Sequence, residues 1–175
     1  ASQGEGLGNR FLANIREVDA LLHVVRCFHN EDVAHVHGGL DPLGDIETID
    51  TELLLADLES AQAAREKTRA KARKNDAEAA ARLAVLDQCI EHLEAGSAVR
   101  EIQFSTPAER HVCRQLGMLT SKRTLYVANV DEDGIQGESD AAQAVAQFAR
   151  SRGEGVVFVC ASLEAELAEL PAEDQ

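Results

Sequence analysis

Tryptophan is absent from this chain of 175 residues, and aromatic residues of all kinds make up 3% of it. The interior must therefore be built mainly from Leu, Val, Ile and Ala. No two of the four cysteines (Cys27, Cys89, Cys113 and Cys160) stand as Cys-x-x-Cys. That excludes the common spacing of zinc and dithiol sites and fits reduced structural thiols in a cytoplasmic protein. No apolar stretch approaches the length of a membrane span and no signal-peptide pattern opens the chain, so no membrane partner is expected. An excess of positive charge is missing too. The formal net charge is -14, which argues against indiscriminate binding to phosphate backbones and against DNA as a specific partner. There is no serine elbow for a hydrolase nucleophile. His35 and His37 could set two imidazoles on one side of an extended segment, but no third ligand accompanies them, and no metal site is expected there.

What is present is enough for one globular core and a satellite element, with 45% hydrophobic and 27% charged residues. Phe11, Leu12, Ile15 and Val18 recur at helical spacing within Asn9 to Asp19. Ala20 to Phe28 reads as a strand buried on both faces, because Leu21, Leu22, Val24 and Val25 leave little room for alternation. Asp41-Pro42 is a turn signal, and Asp45 can cap the helix that follows. Ile46, Ile49, Leu53 and Ala56 form a heptad-like seam thickened by Leu54, Leu58 and Ala61. A second seam runs through Ala79, Leu83, Leu86, Ile90 and Leu93 after a turn at Asn75-Asp76. Two matched seams predict an antiparallel helical hairpin. Ser105 or Thr106 with Pro107 opens a short helix to Leu116, Leu125 to Asn129 is a strand, and Ser139 to Arg152 is a helix with Ala142, Val145, Ala146 and Ala149 inward. A last strand, Val156 to Cys160, precedes a helix from Leu163 for which Ser162 could be the cap. Strand and helix alternate on both sides of the hairpin, which predicts an α/β domain with a parallel sheet and the hairpin inserted into it.

The strand Thr124-Leu125-Tyr126-Val127-Ala128 stops at Asn129-Val130-Asp131-Glu132. A buried parallel strand ending in Asn-x-x-acid is how a P-loop-type GTPase presents its base-reading loop, usually as Asn-Lys-x-Asp. An Asp in the fourth place accepts both adjacent guanine donors. Glu132 adds a methylene there and displaces the carboxylate, while the Asn129 amide can still meet either purine. Val130, in place of the lysine, offers an apolar lid. Together with Gly4-Glu5-Gly6-Leu7-Gly8-Asn9-Arg10-Phe11-Leu12, Ile15-Arg16-Glu17, His23 to Phe28 and Asp45-Ile46-Glu47-Thr48-Ile49, this loop resembles the YchF (Obg-like ATPase) family over nearly the whole chain.

The resemblance implies the fold of a P-loop NTPase in part: nucleotide-binding domain over 1–45, with the switch region and central strand; inserted hairpin over 46–106; base-reading half over 107–175. It implies ATP and Mg²⁺ as ligands, slow ATP hydrolysis, and association with the ribosome or its RNA. Adenine would be read by Asn129, Val130 and Glu132, with Ala161, Ser162 and Leu163 supporting the purine edge after the last strand. Gly4, Gly6 and Gly8 would form the mobile switch segment. They are not a phosphate cradle, since no Gly-x-x-x-x-Gly-Lys-Ser/Thr occurs in the chain. The phosphate loop, the Mg²⁺ ligands and the C-terminal TGS domain of the family are expected to lie outside these residues, so a fragment without ATPase activity is the expectation. Arg65, Lys67, Arg69, Lys71, Arg73 and Lys74 crowd together on an acidic protein and suggest an RNA-facing patch; a solvated helix end is the plainer alternative. An interaction module gated by nucleotide, or a GTPase of the broader Obg group, are the competing functional readings.

Overall fold

Three short apolar runs become strands: β1 (Ala20–Arg26), β2 (Arg123–Asn129) and β3 (Gly155–Val159). They form one sheet in the order β1-β2-β3. β2 and β3 are parallel, with Tyr126 beside Val156, Ala128 beside Phe158 and Asn129 beside Val159. Among the residues described, the helices are α1 (Pro42–Ala72), α2 (Ala77–Glu94), α3 (Pro107–Leu116), α4 (Asp140–Ser151) and α5 (Ala161–Ala168). This computed structural model describes residues 12, 14–29, 39–72, 76–136 and 139–171. Gly4, Gly6, Gly8, His35, His37, Arg73 and Lys74 lie outside them.

The chain divides into two compact units. One comprises Ala1–Asp19 and Ile49–Arg123, the other Ala20–Thr48 and Thr124–Gln175. Residues 107–123, read from the sequence with the base-reading half, fall in the helical unit. The physical reason is packing: Val112, Cys113 and Leu116 of α3 share a core with Val85, Leu86, Cys89, Ile90 and Leu93 of α2.

In the sheet unit, one face of the sheet carries the core. Val25, Tyr126, Ala128, Val156 and Phe158 meet Ala142, Val145 and Ala149 of α4, with Leu43 and Ile46 from the start of α1. Tyr126 stacks edge-on against Phe148 at 5.8 Å and lies 5.5 Å from the His23 ring. β1 is not buried on both faces as its apolar run suggested. Leu22 and Val24 are 69% and 64% exposed, and Val157 of β3 is exposed with them. Side chains alternate across a strand, and among the described residues the covering elements pack on the other face.

α1 begins four residues earlier than the Asp45 cap would place it. Asp41 is the cap, its carboxylate accepting from the Gly44 amide at 3.0 Å, and Pro42 takes the first helical position, where its missing N–H costs nothing. The expected α1 seam is also shifted. Ile46 packs in the sheet core and Ile49 is exposed, whereas Leu54, Leu58, Ala61 and Ala64 face α2. The α2 seam holds, with Ala79, Leu86, Ile90 and Leu93 buried. Arg65 pairs with Asp87, and Lys71 shares a groove with Asp76 and Ala79. As one helix ascends in number the other descends, so the hairpin is antiparallel.

A polar knot anchors the helical unit. Asp57 has no exposed surface. Its carboxylate accepts from the Leu119 amide at 2.9 Å, the Thr120 amide at 2.7 Å and the Thr120 hydroxyl at 2.8 Å. Arg16 completes it, donating to Asp57 at 3.1 Å, to the Ser60 hydroxyl at 2.8 Å and to the Gly117 carbonyl at 3.2 Å.

Candidate functional site

At the carboxyl ends of the strands, three backbone segments converge within the sheet unit. The Cys27 amide donates to the Asn129 carbonyl at 2.7 Å, and the Val130 amide to the Val159 carbonyl at 2.9 Å. These bonds continue the sheet past its formal end and bring Phe28, Asn129 and Ala161 to one rim. A cleft of about 600 Å³ opens there, lined by Phe28, Asn129, Val130, Asp131, Glu132, Asp133, Ala161 and Ser162. Parallel α/β sheets bind ligands at this edge.

Asn129 is the hinge of the cleft. Its side-chain Oδ1 accepts from the Ala161 amide at 3.1 Å, which ties the loop after β2 to the loop after β3. The amide nitrogen is then left to donate, and N7 is an acceptor on either purine. A donor in this position can meet either purine without choosing between the two.

Asp131 is occupied by its own turn. Its carboxylate accepts from the Gly134 amide at 3.0 Å and caps the 3-10 turn Glu132–Gly134. Gly134 is required by close approach: a Cβ there would meet Asp131 Oδ1 at 2.8 Å and Val130 Cβ at 2.9 Å. Glu132, exposed on that turn, is free to present its carboxylate to the cleft.

Val130 does not behave as a lid. It is 2% exposed and its side chain belongs to the sheet core with Val25, Cys27 and Ala128. The residue lines the cleft, but its side chain is committed to packing. Phe28 supplies the aromatic surface instead. Sequence reasoning omitted it from the site, along with Asp131 and Asp133. The available signal was its position: Phe28 follows β1 as Val130 follows β2, and strand ends converge in a parallel sheet.

After β3, Cys160 is buried and its thiol lies 3.1 Å from the Ser162 hydroxyl. α5 starts at Ala161 with Cys160 in the cap position and no side-chain capping bond. Ser162 therefore lies inside the first turn and is not the cap of a helix from Leu163. Ala161 and Ser162 reach the cleft; Leu163 is not among its lining residues. Burial pushes the Cys27 thiol up to about 11, so it stays neutral beneath the Asn129 loop.

The charge of the cleft limits what it can hold. Asp131, Glu132 and Asp133 contribute three carboxylates, and no lining residue is cationic. Such a rim repels a triphosphate and suits a neutral heterocycle with donors at its edge. No group of three or more metal-ligating side chains occurs among the described residues, and none of their helices is long and apolar enough to cross a membrane.

The chain is similar to known proteins over its full length. It is 46% identical over 175 residues to the ribosome-binding ATPase YchF of Escherichia coli O157:H7 and 40% identical over 178 residues to that of Bacillus subtilis, in each case across 100% of this chain and 48% of the relative. The solved structure of the Schizosaccharomyces pombe YchF GTPase resembles it with a TM-score of 0.80 and 27% identity, over 99% of this chain and 48% of that one. No protein-family model matches. The chain thus spans about half the length of the curated relatives it matches.

Proposed function

We propose that this chain, a homologue of the YchF ribosome-binding ATPases over its whole length, is the purine-reading and helical part of a nucleotide-hydrolysing P-loop protein that associates with ribosomes. The observation that carries the reading is the Asn129–Ala161 bond at the end of a parallel sheet, because it couples two strand-end loops around a cleft free of cations. Asn129 holds the purine edge through N7, Phe28 offers a face for the ring, and Ala161 and Ser162 close the far side. Glu132 selects. Guanine presents two adjacent donors that a short carboxylate would accept together, and the longer Glu132 side chain on its 3-10 turn is out of that register. Adenine places a single exocyclic amine at the edge, which one carboxylate oxygen or backbone carbonyl can accept.

Phosphate and Mg²⁺ binding belong to other residues. Phosphoryl transfer needs a phosphate cradle with its lysine and a metal-holding hydroxyl, and no Gly-x-x-x-x-Gly-Lys-Ser/Thr occurs in the sequence. The exposed apolar face formed by Leu22, Val24 and Val157 supports placing the remainder of a nucleotide-binding domain against this sheet, since parallel sheets are normally covered on both faces. In that arrangement residues 20–48 and 124–171 are the nucleotide-binding half and 49–123 the inserted helical domain. Gly4, Gly6 and Gly8 would then sense the nucleotide state ahead of Arg16. Chain 1–175 alone is expected to release no phosphate from ATP.

One relative bears the name GTPase, so selectivity is the decisive measurement. Titration of ATP and GTP with Mg²⁺ on the protein extended to its natural ends should give a clear ATP preference. Asn129→Ala should weaken both nucleotides by roughly tenfold, the size of one lost hydrogen bond to the base. Glu132→Asp should raise GTP affinity relative to ATP. Stronger binding of GTP by the wild type would assign the cleft to guanine and retire the adenine reading. Glu132 alone is the clean substitution, because a lysine at Val130 would have to enter the core.

A further inference from the structure

Two of the four thiols meet inside the helical unit. Cys89 on α2 is 0% exposed and Cys113 on α3 is 6% exposed, and both lie in the core that these helices share. The rest of that core is hydrocarbon and the Met118 thioether, and the two cysteine side chains hydrogen bond to each other, Cys89 donating to Cys113. The contact makes the two sulfurs unequal. Cys89 holds its proton more tightly than an ordinary thiol, because it donates to Cys113 and is buried. Cys113 gives up its proton more readily. The bond from Cys89 is the chief cause, working against burial and helped by the adjacent Arg114 charge. Cys27, where burial acts alone, moves up to about 11.

A disulfide needs two sulfurs in contact, one of them available as the thiolate. Side chains from two separate helices meet the first condition here, and their shared proton meets the second. We propose that Cys89 and Cys113 form an oxidisable dithiol, which hydrogen peroxide converts to a disulfide that fastens α3 to α2. The Cys113 sulfur attacks one peroxide oxygen: an S–O bond forms, the O–O bond breaks, and the departing hydroxide takes up the proton Cys113 has shed. The Cys89 sulfur then displaces the hydroxyl from Cys113. An S–S bond forms, the S–O bond breaks, and the hydroxide leaves as water with the Cys89 proton. The two thiols lose two electrons, and the peroxide is reduced to two waters. Access comes through α3, the shorter helix at 10 residues against 18 for α2, since short elements open locally at low cost. The bond would also steady the chain leading into Leu119 and Thr120, whose amides hold Asp57. This site lies in the helical unit and rests on nothing in the nucleotide reading.

Peptide mapping of the protein extended to its natural ends, after treatment with hydrogen peroxide, tests this. Non-reducing digestion should yield a Cys89–Cys113 cross-linked peptide, two hydrogens lighter than its parts and abolished by dithiothreitol. Cys27 and Cys160 should still alkylate once the protein is unfolded. Dimedone, which traps sulfenic acids, should label Cys113 in C89A at least about tenfold more than Cys89 in C113A. Far-UV circular dichroism establishes that each variant is folded, and C89S and C113S replace the alanine variants if those are not. In the oxidised wild type the α3 amides should exchange at least about tenfold more slowly, whereas C113A given the same treatment should show no change. A wild type whose Cys113 stays reduced, or passes to the sulfinic acid without a cross-link, overturns the proposal. So does a cross-link that joins either cysteine to Cys27 or Cys160. Equal dimedone labelling of the two variants overturns the unequal pair, and unchanged or faster α3 exchange in the cross-linked protein overturns the fastening.

Discussion

At the scale of single residues, Asp57 carries the most concentrated structural role. Three donors from Leu119 and Thr120 converge on a carboxylate with no exposed surface, and Arg16 supplies its counter-charge. Replacing Asp57 by Ala would leave two buried amides and a hydroxyl unpaired while Arg16 loses its anion. Removing one partner of a buried pair costs about 3 to 5 kcal/mol; Arg16 is partly exposed and can rehydrate, so about 3 kcal/mol is the expected loss in urea denaturation. A loss below about 1 kcal/mol would mean the knot contributes little beyond what water can replace. Nothing in the sequence marks this residue. Leu-Leu-Leu-Ala-Asp-Leu-Glu-Ser reads as a helix whose acids face solvent, and the donors to Asp57 are 62 and 63 residues away. Asn129 is the opposite case. Its position was readable because it ends an apolar run, and local chain order alone puts it at the sheet edge. Val130 and Phe28 exchanged the roles expected of them because burial of a side chain next to a strand end depends on which face the covering helix takes.

Among elements, those with local punctuation were readable and those defined by distant partners were not. α3 is fixed by a complete capping box: the Glu109 amide donates to Thr106 Oγ1 at 3.2 Å, and the Glu109 carboxylate accepts from the Thr106 amide at 2.9 Å. Pro107 starts the helix and Gly117 ends it in the left-handed region at φ 62°. All of this lies within the segment itself, and Thr-Pro followed by Glu announces it. Thr106→Ala should therefore cost about 1 kcal/mol in global stability. Hydrogen exchange would locate the effect: faster exchange confined to the first turn of α3 fits a cap, while faster exchange throughout α2 as well would mean that the shared core depends on it. β1 and the α1 seam misled for a common reason. An apolar run states that side chains can be buried but not on how many faces, and a heptad pattern admits neighbouring registers. Ile46 satisfies two patterns at once, and the sheet core takes it.

For the molecule as a whole, two kinds of electrostatics act in opposite senses. A net charge of -14 over 175 residues pushes the compact state apart, because folding brings the acids closer than they are in the open chain. Added salt should therefore stabilise the fold. Between about 0.05 and 0.5 M NaCl, Tm should rise by a few degrees as the Debye length shrinks from more than 10 Å to less than 8 Å. Thermal unfolding over a salt series measures the trend. A fall in Tm with salt would mean that attractive pairs such as Arg65–Asp87 outweigh the repulsion between acids, and the protein would then be held together by its charges despite their imbalance.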